Sequence, residues 1–225
     1  MAETPVQARP GEALVWTDGA CRGNPGPGGW AAIVVPPGGG GAVELAGSAA
    51  HTTNNRMEFT AAIEGLRRLP AGSHACVVTD SLLMLKSMTL WLAGWKRRGW
   101  KTAGGAPVKN RDLIEALESE LARHAAVRWH WVRGHETGAA HAHKALNDRA
   151  DRLAVAASHA AELIGASRPP LNSTEREPAR PPTPRPGFEP GAYSLGGSRS
   201  IQLSYRGHGE AEAGIVVPAS KRTPR

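Results

Sequence analysis

The sequence predicts one α/β domain built on a mixed sheet, followed by an extended tail. Three observations predict it. β-favourable runs cluster first, as in a meander, and then alternate with helical patterns. Gly/Pro clusters punctuate the early runs. The composition breaks near residue 165: ten of the 18 prolines fall in residues 166–225, whereas all seven tryptophans precede them.

ALVWTD (13–18), GWAAIVV (29–35) and AVELAGS (42–48) read as a three-strand antiparallel meander. A helix follows, with Thr53 or Asn54 as its cap. Phe59, Ala62, Ile63 and Leu66 share one face through their three- and four-residue spacing, and Pro70 enforces a stop. ACVVTD (75–80) is apolar enough for a buried strand, and SLLMLKSM begins a second helix. Leu113, Leu117 and Leu121, with Asn110 as cap, mark a third. VRWHW (127–131) alternates Val127, Trp129 and Trp131 with Arg128 and His130, the pattern of a strand with one buried face. A last helix starts near Asn147 and carries Leu153 and Ala157 on one side. The expected sheet has five strands.

The chain carries 27 Lys+Arg against 20 Asp+Glu, a net charge of +7, which favours anionic partners. More than half of that excess belongs to residues 166–225, with nine basic and five acidic groups. Residues 168–190 are Pro- and Arg-rich and almost free of apolar side chains, so they cannot offset the entropy of ordering. Residues 166–225 are therefore expected to form a disordered tail, in which Ile201–Tyr205 and Ile215–Val217 supply at most an added strand. Residues 1–11 are expected to be flexible and 12–165 to form the domain. No run approaches the roughly 18 apolar residues of a membrane span, and the N-terminus lacks a basic start before an apolar core. The expectation is a cytoplasmic protein with no membrane partner. Cys21 and Cys76 fit neither a disulfide framework nor a zinc ribbon and read as two reduced thiols.

Four acids stand at informative places. Asp18 and Asp80 end strands, Glu58 lies in the first turns of a helix, and Asp151 sits inside the last helix beside Leu153. Ligand sites in such sheets lie beyond strand ends, and parallel pairing of the two strands makes Asp18 and Asp80 neighbours. Taken singly, an Asp at a strand end is usually a turn former or helix cap, and none of the four marks a site by itself.

Their surroundings decide the reading. TDGACRGNPGPGGW (17–30), TTNNRME (52–58), TDS (79–81), WKRRGWKT (95–102), WVRGH (131–135) and NDRADRLA (147–154) occur in this order, and together they resemble the bacterial type 1 ribonuclease H family over about residues 12–160. The resemblance implies a ribonuclease H-like fold, with a five-stranded mixed sheet of a three-strand antiparallel meander plus two parallel strands, and helices on both faces. It implies an endonuclease that cuts the RNA strand of an RNA/DNA hybrid and leaves 5′-phosphate and 3′-hydroxyl ends. Asp18, Glu58, Asp80 and Asp151 are then the ligands of two Mg²⁺ ions, with Mn²⁺ as a substitute. Clustered carboxylates need hard cations between them, and two metals suit an in-line displacement. His135 matches the family's mobile histidine, which assists proton transfer or product release. The chain from His135 to Asp151 is longer than in typical members and adds His141 and His143. The spacing of these three histidines is compatible with zinc, but the Ala/Gly content of the loop argues for a flexible polar segment.

The same resemblance places Cys21, Arg22, Gly23 and Asn24 of the glycine-rich turn, and Thr53, Asn54 and Asn55, on the minor groove. There asparagine amides both donate and accept without demanding one base. Gly23, Gly26, Gly28 and Gly29 also read simply as tight-turn residues. Trp91, Trp95 and Trp100 are interleaved with Lys96, Arg97, Arg98 and Lys101, a pattern similar to the family's basic protrusion, which grips the DNA strand through its phosphates. Leu82 departs from the family, which often has Gln there, so weaker binding or an altered cleavage preference is expected. A monomer is expected, and the tail's partner, if any, is open. The competing readings are a DNA-cutting relative of the same fold and a non-cleaving nucleic-acid-binding module. The basic segment and TTNNRME argue against the first, and the presence of all four acids argues against the second.

Overall fold

The computed structural model of the chain describes residues 6–134, 142–166, 201–205 and 215–218. The meander forms as expected: β1 (Glu12–Cys21), β2 (Gly26–Val35) and β3 (Ala42–Thr52) pair antiparallel in sequence order. Helix α1 (Asn54–Arg67) then crosses over, and β4 (His74–Thr79) lies parallel to β1. Strand β5 (Ala126–Trp131) lies parallel to β4. The five expected strands stand in the order β3-β2-β1-β4-β5.

Two further strands extend this sheet. β6 (Ile201–Tyr205) pairs antiparallel with β3, and β7 (Ile215–Pro218) pairs antiparallel with β5. They fall within the segment expected to be a disordered tail, and they are its two apolar patches. Their backbone groups pair with edges that would otherwise stay open.

Strand alternation sends side chains to two faces. Ala13 and Val15 of β1, Ala75 and Val77 of β4, and Val127 and Trp129 of β5 meet Phe59, Ala62, Ile63 and Leu66 of α1 and Ile114 and Leu117 of α4 (Arg111–Leu121). The face of α1 is the expected one. On α4 the deepest residues are Ile114 and Leu117, with Leu113 and Leu121 only flanking them. Asn110 stands at the N-cap of α4, as expected, but in the left-handed region (φ 56°) and without a side-chain capping bond. On the other face Leu14, Trp16, Cys76 and Val78 meet Leu146, Ala150 and Leu153 of α5 (Ala142–Ala166), which begins five residues before the expected start.

β5 departs from the one-sided strand expected of it. Arg128 and His130 are buried as well as Val127 and Trp129. The Arg128 guanidinium donates to both carboxylate oxygens of Glu12, at 3.0 and 2.6 Å, and to the carbonyl of Gln7 at 2.6 Å. Residues 6–9, assigned by sequence to a flexible start, are thereby held on this face, with Val6 buried and the Arg9 amide donating to Glu12. Among the described residues no helix is long and apolar enough to cross a membrane.

Candidate active site

The parallel pairing of β1 with β4 ends at Trp16 opposite Val78. Asp18 and Asp80 each lie two residues further on, so they stand level where the strands part, at the crevice that open α/β sheets use for ligands. Asp18 does not end its strand, as the sequence suggested. β1 continues along β2 to Cys21, with Asp18 opposite Ala31, and the Gly19 amide donates to Asp18 Oδ1 at 2.6 Å. Asp80 follows β4 directly, and its backbone carbonyl accepts from Trp131 Nε1 at 3.0 Å.

Glu58 comes from α1, whose first turn is capped by Thr53 Oγ1 accepting from the Arg56 amide at 3.4 Å. The helix sits directly on β1 at Gly19. A Cβ there would fall 2.4 Å from the Glu58 nitrogen, so only glycine admits this approach. Asn54 Nδ2 donates to Glu58 Oε1 at 2.8 Å, while Glu58 Oε2 is buried with no hydrogen-bond partner. Asp151 comes from α5, which lies equally close on β2: a Cβ on Gly29 would fall 2.2 Å from the Ala154 carbonyl oxygen.

These acids act on one another. Burial, then the charge of Asp80, with a further contribution from Asp151, pushes Asp18 up to about 7 against the pull of the Gly19 amide. Burial, then Asp80 and Asp18, pushes Glu58 up to about 8, opposed by Asn54. Among the described residues no three His, Cys, Asp or Glu side chains stand placed to hold a metal ion. Asp80 acts on both Asp18 and Glu58, and Asp151 acts on Asp18, so the four acids share one neighbourhood at this end of the sheet. The oxygen-only donor set and the orphaned Glu58 oxygen fit a hard divalent cation.

The expected substrate contacts divide. Asn24 Oδ1 accepts from the Asn54 amide at 3.3 Å, joining the glycine-rich turn to the start of α1, and Asn55 is exposed beside them. Cys21 is turned into its own turn, with Sγ donating to the Gly23 carbonyl at 2.9 Å, and Gly23 has φ 73°. Arg22 is engaged by α5, with Nε 2.9 Å from Glu162 and Nη1 2.5 Å from His159 Nε2. The basic segment follows α2 (Leu82–Lys86), a π-helical turn at Ser87–Trp91 and α3 (Leu92–Arg97). Trp95 and Trp100 pack against the core, so they anchor the segment. Trp91 is more exposed and tilts against Trp95 with ring centroids 5.6 Å apart. The Arg111 guanidinium covers the Trp100 ring at 4.7 Å. Lys96 is paired with Glu118 at 2.7 Å, Arg98 donates to the Lys101 carbonyl at 3.2 Å, and Arg97, Arg98 and Lys101 are exposed. Leu82 is exposed two residues after Asp80. His135 and His141 lie outside the described residues, which end on this side at Gly134.

Residues 10–159 match the family model described as RNase H. The chain belongs to the ribonuclease H family. It is 51% identical over 140 residues to the ribonuclease H of Pseudomonas syringae, covering 62% of this chain and 87% of that one. The ribonuclease H of Bordetella pertussis is 49% identical over 140 residues, covering 62% and 84%. Among solved structures, LC9-RNase H1, a type 1 RNase H with the type 2 active-site motif, superposes with a TM-score of 0.57 at 32% identity, over 71% of this chain and 75% of that one.

For a ribonuclease H, three parts of this site escaped the sequence reading. Gly19 and Gly134 border the acids, and Asn54, expected on the minor groove, donates to Glu58. Gly19 left a signal, since an isolated glycine within a strand marks a close backbone approach. Asn54 left one too, four residues before Glu58 on the same helical face.

Proposed function

We propose that this ribonuclease H hydrolyses the RNA strand of RNA/DNA hybrids at Asp18, Glu58, Asp80 and Asp151, leaving 5′-phosphate and 3′-hydroxyl ends with little sequence preference. One observation carries the reading. Asp18 and Glu58 are pushed up by burial and by neighbouring acids, and Glu58 keeps a buried oxygen without a partner. Such a group is stable in its charged form only around cations. Asp18, Glu58, Asp80 and Asp151 would hold two Mg²⁺ ions, or Mn²⁺ as a substitute, which would activate a water and neutralise charge on the leaving 3′ oxygen.

The chain's own residues do the rest. Asp18 and Asp80 hold their carboxylates at the parting of β1 and β4, Glu58 offers Oε2 while Asn54 fixes its other oxygen, and Asp151 closes the group from α5. Thr53, Asn54, Asn55, Asn24 and the backbone of the glycine-rich turn bind the minor groove at the 2′-hydroxyls. Arg97, Arg98 and Lys101, positioned by Trp95 and Trp100, hold phosphates of the uncut strand, which makes affinity fall with salt. His135 assists proton transfer or product release. The protein acts as a cytoplasmic monomer, residues 12–165 carry the activity, and the remainder of the tail is a passive extension.

The test is cleavage of a hybrid with both strands labelled, in Mg²⁺. The expected result is cutting of the RNA strand alone by the parent, and none by Asp18→Asn, which still binds the hybrid. Cutting of duplex DNA, or full activity in Asp18→Asn, overturns the reading.

A further inference from the structure

Gly134 is a glycine for a reason that the backbone does not supply. It is absent from the residues with positive φ, so no left-handed backbone demands a glycine there. It is not wedged into the fold either. The three atoms nearest to a Cβ built on it all belong to one side chain: Asp80 Oδ2 at 2.4 Å, Cγ at 3.3 Å and Cβ at 3.6 Å. Gly19 differs in kind, because its Cβ would meet the backbone of Glu58 and Met57 at 2.4 and 2.7 Å, so a side chain there displaces a helix. At Gly134 the atoms that a methyl group meets first are those of a carboxylate side chain.

We propose that Gly134 is a positioning residue for Asp80: by lacking a side chain it leaves the Asp80 carboxylate turned toward Asp18 and Glu58, where their shared cations bind. The inference rests on the proposed metal-dependent cleavage. Two contacts fix Asp80 from opposite ends. Trp131 holds its backbone carbonyl from β5, and Gly134, three residues further along the chain, leaves room for its carboxylate. Trp131 and Gly134 flank Val132, which is buried against the α5 face and whose amide donates to the Thr79 carbonyl at 3.1 Å, so the approach of this segment to Asp80 is set by the sheet. The atom that a methyl group on Gly134 would meet first is the tip of the Asp80 side chain, the part that shifts most cheaply. The short Asp80 side chain must rotate, and that rotation takes an oxygen away from the other acids. The effect belongs to the site and not to the fold.

The test is Gly134→Ala in the full chain, compared with the parent and with Asp80→Ala. Four quantities are measured: melting temperature in EDTA, hybrid affinity in EDTA, Mg²⁺ affinity by calorimetry, and kcat against Mg²⁺ concentration. The melting temperature and the hybrid affinity are expected to stay at the parent's values. Mg²⁺ affinity and kcat are expected to fall about tenfold or more, the scale for groups that orient a metal ligand. In the Asp80→Ala background, Gly134→Ala is expected to change Mg²⁺ affinity no further. Parent-like Mg²⁺ affinity and kcat overturn the inference, as does a large loss of melting temperature or an equal loss of Mg²⁺ affinity without Asp80. A parent that fails to cut hybrids overturns the proposed function instead.

Discussion

Two sets of buried acids in this molecule are treated in opposite ways. At one end of the sheet Asp18 and Glu58 face other acids, and both are pushed up, to about 7 and about 8. Elsewhere Glu12 and Glu120 are shielded from solvent but face arginines. Burial alone would raise Glu12, yet hydrogen bonds from Arg128 and Arg9 and the charge of Arg128 outweigh it and hold it below the usual range. Glu120 is held down in the same way by Arg123 and Arg67. Burial raises all four acids, and by itself it does not give the direction of the shift. The sign of the neighbour does, because a compensated acid has its counter-ion in the fold and an uncompensated one awaits it from outside.

The largest effect expected of this contrast is on cleavage. Asp18→Asn removes one of the mutually repelling charges and is expected to lower kcat by at least about 10³-fold, the upper range for loss of one electrostatic group at a reacting centre. The same substitution relieves repulsion, so the metal-free variant is expected to melt at or above the parent temperature at pH 8. A variant that is both inactive and markedly less stable would place Asp18 with the structural acids.

Arg128→Met attacks the other set. It leaves Glu12 buried without its cation and is expected to cost about 3–5 kcal/mol. That is on the order of 10 °C in melting temperature for a domain of this size. Per-molecule activity below the transition is expected to stay at the parent level. The double variant Glu12→Gln/Arg128→Met should recover most of the stability, since both charges leave together. Failure to recover would mean that the Gln7 contact, rather than the ion pair, is what Arg128 supplies.

The pH dependence follows from the signs. Asp18 and Glu58 are raised from 3.8 and 4.5, so in the folded state they keep protons that the unfolded chain has released. Their contribution to stability is fully present below those ordinary values and is lost as the pH rises through about 7 to 8. Glu12 and Glu120 are lowered, so their contribution is present above the ordinary carboxylate value and is lost as the pH falls. Metal-free melting temperature is therefore expected to decline between pH 5 and pH 8, less steeply in Asp18→Asn, with Mg²⁺ restoring it most at the alkaline end. A metal-free curve that rises over that interval would contradict the shifts at the site.

The contrast also explains what could be read from the sequence. The meander, the face of α1 and the level placement of Asp18 and Asp80 follow from local periodicity and from parallel pairing, both of which short runs encode. Arg128 was read as solvent-facing because alternation reports only the residue's own strand. Its partner Glu12 lies 116 positions away, and residues 6–9 cover it. The π-helical turn at Ser87–Trp91 was invisible for a related reason. SLLMLKSM reads as a plain helical run, and Met84, Met88 and Leu92, which pack on the core, keep α-helical spacing, so nothing in the side-chain pattern marks the widened turn. Gly134 carries no pattern at all, because its meaning lies in a contact with a side chain 54 positions earlier.

The smallest expected effect extends the comparison to the cations. Lys96 is already compensated by Glu118 on the surface, whereas Arg97 is exposed with no acid within ion-pair distance among the described residues. A cation that gains phosphate without losing a carboxylate contributes more, so Arg97→Ala is expected to weaken hybrid binding several-fold and to reduce the salt slope by about 0.7–0.9. Glu118→Gln does the opposite by releasing Lys96. Because the pair is exposed and screened, the gain is expected to be only about twofold in affinity, confined to low salt. Weaker binding in Glu118→Gln would show that Glu118 positions Lys96 on the phosphate rather than competing for it, and the rule drawn from the buried acids would then stop at the surface.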